Sequence, residues 1–240
     1  MFPYDPQLAA ATQQPPQSIA DVLQVMQTID ATCVDGDGMK WFNWLYSQVT
    51  QTVANMVAAG EFKDPAWLSA LDVNFAKRFF SALNAYLTGG NCPGAWGALF
   101  AVRENTRIAR IQFALAGINA HINYDLPSAI LATCTAANME PQHGTPEYDD
   151  YTGLNAPLDN LIDIAKRTLH VRLLGDPLPP VSHLEDILAA WGTSAAREQA
   201  WNHAQALWHL RDVPLIADGY LDGLDGLTTF GNKALLTPVP

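Results

Sequence analysis

The stretch RIARIQFALAGINAHINYDLP, residues 107–127, decides the fold. Read as a helix, it places Arg110, Ala114, Gly117, His121 and Asp125 at spacings of three or four, so that they share one stripe. Ile111, Leu115, Ile118, Ile122 and Phe113 cover the other sides, leaving no face for solvent. A helix that is apolar nearly all round belongs in the middle of a domain. This one carries an Arg, a His and an Asp along its length, and buried charges must find partners or exchange protons.

Working outward, the neighbouring segments repeat the helical period. Ser18 is the predicted N-cap for a face made of Ile19, Val22, Leu23, Met26 and Ile29, and Asp35-Gly36-Asp37-Gly38 forms a turn before a second helix ending near Gly60. Asp64-Pro65 is a start signal for a helix running to about Leu87, and Gly89-Gly90-Asn91-Cys92-Pro93-Gly94 breaks the chain before helix resumes toward Leu126-Pro127. A polar loop is expected around 138–153, then helices over 157–174, near 184–191 and over 194–211. No segment alternates apolar and polar residues as a half-buried strand would, and no repeat is visible. The predicted architecture is all-α: one compact multi-helix domain over 18–213 around a central buried helix. An irregular arm over 1–17 and an irregular Gly- and Asp-rich tail over 214–240 are expected to flank it.

Composition narrows the functions. With 13 basic against 24 acidic side chains and a net charge of −11, the chain lacks the cationic stripe that phosphate neutralisation needs, so nucleic acid is excluded as a partner. Hydrophobic residues at 49% and charged residues at 15% supply a real core and exclude disorder. No uninterrupted apolar run reaches the length of a membrane span, and the N-terminus lacks the cationic start of a secretion signal. Three well-separated cysteines, Cys33, Cys92 and Cys134, suggest neither a disulfide framework nor a thiolate metal site. A cytoplasmic protein that handles a small molecule is the expectation, with self-association left open.

Chemistry concentrates on the central helix. The spacing of His121 and Asp125 lets the carboxylate hold one imidazole nitrogen, as a general acid/base pair requires. It equally fits a sealed hydrogen bond within a core. Arg110 or Arg107 is the expected stabiliser of developing negative charge, and Ala114 and Gly117 leave room beside the pair. Tyr124 and Asn155 complete the expected substrate contacts. Asp72, beside an apolar stripe of Leu68, Leu71, Phe75, Phe79 and Leu83, is either an inward-facing carboxylate partnering Arg110 or Arg78, or a first-turn residue favoured by the helix dipole. The leading reading is a cofactor-free enzyme performing non-redox acid/base chemistry on a small, largely apolar substrate, such as cyclisation, isomerisation or elimination. In the alternative, His121, Asp125 and Asp72 bind a divalent metal such as zinc for hydrolysis. A third reading is a binding protein without turnover. Glu147, Asp149 and Asp150 form an acidic run that could collect a hard cation or simply be solvated, and no GxSxG, P-loop, GxGxxG or HExxH element occurs.

The segments AGINAHINYDLPSAI, MKWFNWLYSQVTQTV, LDVNFAKRFF and EYDDYTGLNAPLD resemble an uncharacterised bacterial family, domain of unknown function 5995, over about residues 29–211. The resemblance implies a soluble helical protein with a recurring AHINxDL core and brings no activity with it. The HxxxD element is also similar to one piece of the zinc-binding helical nuclease and phospholipase C fold, whose other histidines have no counterparts here.

Overall fold

The computed structural model describes residues 1–176 and 192–238. Among these residues the architecture is all-α, without strands; the only β-type pairing is an isolated bridge between Ala109 and Arg172. The helices are α1 (Asp5–Ala11), α2 (Ile19–Thr32), α3 (Gly38–Ala59), α4 (Pro65–Thr88), α5 (Gly94–Phe100), α6 (Arg110–Ala120), α7 (Leu126–Ala136), α8 (Pro146–Gly153), α9 (Asn155–Thr168), α10 (Thr193–Leu210) and α11 (Pro214–Leu235). The helix expected near 184–191 lies outside the described residues.

Local signals set most of these boundaries. Ser18 closes a full capping box with Asp21, and Asp37 and Asp64 accept the Met39 and Trp67 amides at the starts of α3 and α4. Gly60 and Gly89 end those helices in the left-handed conformation, at φ of 71° and 75°.

The central helix is buried as expected: every residue of α6 from Ile111 to Ala120 except Asn119 is buried, and α6 packs on α3, α5, α9 and α11. Its course differs from the expected one at both ends. Residues 101–109 are not α-helical, because α5 stops at Phe100 and the chain turns before Arg110. Leu126-Pro127 does not end the helix. Between α6 and α7 lies a π-helical turn, His121–Asp125, in which the Leu126 amide donates to the His121 carbonyl five residues back. Pro127 has no N–H to offer a carbonyl in that turn, and the wider π turn carries the chain past it without a break.

Three segments expected to be irregular are helical. In α1, Leu8 is fully buried and Asp5 pairs with Arg103, so tertiary contacts hold a seven-residue helix too short to be stable alone. In α8, Thr145 caps the helix at the Tyr148 amide, and buried Asp150 accepts the Lys63 and Asp64 amides at 2.9 and 2.7 Å. The acidic run thus caps the approach to α4, and Asp149 pairs with Lys63. The third is α11, rich in Gly and Asp. Asp225 there accepts the Gly94 and Ala95 amides at the start of α5, Asn232 bonds Asn119 and the Ala95 carbonyl, and Gln112 donates to the Leu235 and Thr237 carbonyls. These ties offset the backbone entropy of its glycines.

Candidate functional site

The π turn places His121 and Asp125 side by side in the core, each 2% exposed. His121 Nδ1 lies 2.8 Å from Asp125 Oδ2, and the same oxygen accepts a hydrogen bond from the indole N–H of fully buried Trp96 at 2.9 Å. Two donors on one carboxylate oxygen fix Asp125 firmly, and Asp125 in turn fixes the ring. With an ionised carboxylate at Nδ1, the proton of the neutral imidazole sits on Nδ1 and the lone pair on Nε2.

Nε2 is buried and has no hydrogen-bond partner among the described residues. Aromatic rings box the imidazole: Phe75 stacks on it with centroids 3.4 Å apart and planes 6° from parallel, and Tyr46, Phe42 and Trp96 meet it edge-on at 4.5, 5.7 and 5.9 Å. Burial holds the His121 pKa below that of a free imidazole, against the opposing hydrogen bond and charge of Asp125. His121 is therefore neutral near pH 7, with an unengaged basic nitrogen.

The ring lines a narrow apolar cavity of about 50 Å³ bounded by Phe42, Tyr46, Phe75, Ile118 and Leu158, with Arg197 in its wall. A second void of about 40 Å³ shares Tyr46, Phe75, Leu158 and Arg197 and reaches Asp72. Each is several times the space one water needs and far below the roughly 300 Å³ of a drug-sized pocket.

Asp72 faces inward, in the second turn of α4 rather than its first, and is 7% exposed. Its Oδ2 has no partner among the described residues, and burial pushes its pKa up to about 7. Neither expected cation reaches it: Arg78 donates to the Ser128 carbonyl, and Arg110 is occupied elsewhere. The Tyr46 hydroxyl, raised by burial first and then by the charges of Asp72 and Asp125, also lacks a formed hydrogen bond, although Thr50 Oγ1 is close by.

The structure corrects several sequence expectations. Arg110 shares the helical register of His121 but not its surroundings. At the N-terminus of α6, about 16 Å of helical rise from His121, its guanidinium stacks 3.9 Å above Trp41, donates to the Leu173 carbonyl and meets Asp35 at 3.4 Å. Arg107 is exposed on the preceding turn, with its amide bonded to Asn105. Gly117 makes no room for a ligand: a Cβ there would stand 2.3 Å from the Phe42 ring, so the glycine exists to let α3 approach α6. Tyr124 lies outside this cavity and lines a separate groove with Arg78 and Asp125. Asn155 reaches the site indirectly, as the acceptor for Arg197 Nε at 2.8 Å. His121, Asp125 and Asp72 do not gather into a set able to hold a metal ion, and no group of three or more His, Cys, Asp or Glu does so among the described residues.

Sequence reading missed Arg197, Tyr46, Phe75 and Trp96. Arg197 sits on α10, 76 positions after His121, in a sequence context, SAAREQAWNHA, with nothing to mark it as buried. Its one signal is that it lies four residues before Trp201 and three before Ala200, both buried, so the period of α10 puts it on the inner face.

No helix among the described residues is long and apolar enough to cross a membrane. No curated protein and no solved structure matches the chain. A family model, that of the family of unknown function DUF5995, matches residues 19–238, which takes in every helix from α2 onward and the whole of the site. The chain therefore belongs to the DUF5995 family.

Proposed function

We propose that the protein is an enzyme in which His121 moves a proton on a small, largely apolar substrate, in a non-redox reaction of the isomerisation, elimination or cyclisation type. The observation that carries this reading is the unpartnered Nε2 of a ring whose other nitrogen is fixed by Asp125. A histidine sealed into a core for stability would have both nitrogens engaged, because a buried unsatisfied polar atom costs about 1–3 kcal/mol. Here one nitrogen is committed and the other is left basic, in a ring that lines a void.

In the forward step Nε2 takes a proton from a carbon or oxygen of the substrate. The imidazolium formed is stabilised by Asp125, which already accepts from Nδ1 and need not move. Returning the proton to a different atom completes an isomerisation and restores the neutral ring. Trp96 holds Asp125 in place throughout. The aromatic box keeps bulk water away, which strengthens the electrostatics of the step.

Proton exchange tests this step whatever the final product. A panel of small carbonyl compounds with acidic C–H bonds is incubated with the protein in D₂O, and loss of the C–H signal is followed by proton NMR. At least one compound should exchange, with the rate lowered about 100-fold or more in His121→Gln and less severely in Asp125→Asn. Exchange that persists unchanged in His121→Gln, or no exchange across the panel, overturns the reading.

A further inference from the structure

We infer that Arg197 is the binding group for a carboxylate, so that the substrate of the His121 site is a short carboxylic acid with an apolar body. This deepens the acid/base reading and rests on it. Arg197 is 5% exposed and lines both the void beside His121 and the one beside Asp72. Among the described residues only neutral groups hold it. Nε donates to Asn155 Oδ1 at 2.8 Å, one terminal nitrogen donates to the Tyr151 carbonyl at 2.6 Å, and the guanidinium lies 4.0 Å over the Tyr151 ring. Among the described residues no carboxylate lies within ion-pair distance of it; Asp159 acts on it only from farther off.

A buried guanidinium without a counter-charge is costly, and proteins normally place a carboxylate against it. The fork is oriented by Asn155 and Tyr151 before any ligand arrives, which lowers the entropy lost on binding. An incoming carboxylate would supply the missing negative charge through charge-assisted hydrogen bonds. The rest of the cavity wall is apolar, with Phe42, Phe75, Ile118 and Leu158, and the voids have room for only a few heavy atoms. Asp72, whose pKa burial raises to about 7, is about half protonated at neutral pH and repels the anion less than a fully ionised carboxylate would.

The probes are propionate and its neutral counterpart propionamide, titrated into the full chain while the Arg197 Nε–H and the His121 ring signals are followed by NMR. Propionate should shift both signals saturably and bind at least about tenfold more tightly than propionamide, a gap of about 1.4 kcal/mol. Arg197→Met should abolish that preference. Should Arg197→Met fail to fold, the comparison of the two probes in the unsubstituted protein decides alone. Equal affinity for the two probes, or a propionate response that leaves the Arg197 signal unmoved, overturns the inference. Propionate is also titrated into His121→Gln. Retained binding there, together with absent proton exchange in the unsubstituted protein, sinks the acid/base reading while leaving the carboxylate subsite standing.

Discussion

Arg103 and Arg197 are both buried, 3% and 5% exposed, yet their surroundings differ in kind. Arg103 joins α1 to the start of α3: its terminal nitrogen pairs with Asp5 and, at 3.0 Å, with Asp37, and Tyr4 donates to the same Asp37 oxygen. Its charge is matched twice over within the chain. Among the described residues Arg197 meets only a carbonyl, an amide oxygen and a ring, with a void beside it and unpartnered atoms of His121, Asp72 and Tyr46 nearby. In the first cluster the charges are matched, although Nε and Nη1 of Arg103 have no hydrogen-bond partner among the described residues. The other leaves the Arg197 charge without a carboxylate beside it among the described residues, next to voids that on the proposed reading take a ligand.

The largest expected effect tests this contrast directly. Arg103→Met strands Asp5 and Asp37 as buried, uncompensated carboxylates, and should destabilise the fold by about 3–5 kcal/mol in urea unfolding at pH 7. Arg197→Met removes a charge that no carboxylate among the described residues balances and should cost about 1–2 kcal/mol, from the donors lost to Asn155 and Tyr151. Equal losses would erase the distinction between the two clusters.

Asp72 gives the next effect, through pH. Its carboxyl is raised from 3.8 to about 7 in the folded state by burial, so the folded chain holds that proton more tightly than the unfolded one. This contribution favours folding at low pH, is lost progressively from about pH 4 to pH 7, and is level above. Asp72→Asn cannot titrate. It should match the parent in stability at pH 4 and exceed it by about 2–4 kcal/mol at pH 8. A difference that does not grow with pH would mean that Asp72 is ionised in the folded protein and compensated, which would align its region with the Arg103 cluster.

The sequence made the helical period, the caps at Ser18, Asp37 and Asp64, and the central position of residues 110–126 readable, because each depends on neighbours a few residues apart. It also singled out His121 and Asp125, since their spacing is local. It did not reveal which arginine would share their cavity. Arg110 has the correct helical register, but a stripe several turns long passes different neighbours along its length, and Trp41 and Asp35 claim that side chain. Arg197 arrives from a distant helix, information that only packing carries. Helix α11 was hidden for the same reason: its glycines and aspartates read as breakers until Asp225 and Asn232 are seen docking against α5 and α6. Gly117 shows how one residue admits two readings. Space beside a catalytic pair and a seat for Phe42 look identical in sequence, and Gly117→Ala distinguishes them. The added methyl would overlap the Phe42 ring and should cost about 2–3 kcal/mol in unfolding experiments. A neutral outcome would mean that the wall of the site at Phe42 yields.

The smallest expected effect concerns how the open region keeps its histidine poised. Trp96 and His121 donate to the same oxygen of Asp125, so each tempers the carboxylate's attraction for the other. Trp96→Phe retains a buried ring but removes the indole donor. The stability loss should be about 1.5 kcal/mol, at the low end for a hydrogen bond to a charged acceptor, because His121 continues to serve that oxygen. The more informative readout is the titration of His121 followed by ¹⁵N NMR. With Asp125 no longer shared, its charge acts more fully on Nδ1–H, and the imidazole pKa, held down by burial in the parent, should move upward toward the ordinary histidine value. A protein in which Trp96→Phe lowers stability while leaving that titration untouched would have an indole that only packs, and the orientation of Asp125 would then rest on His121 alone.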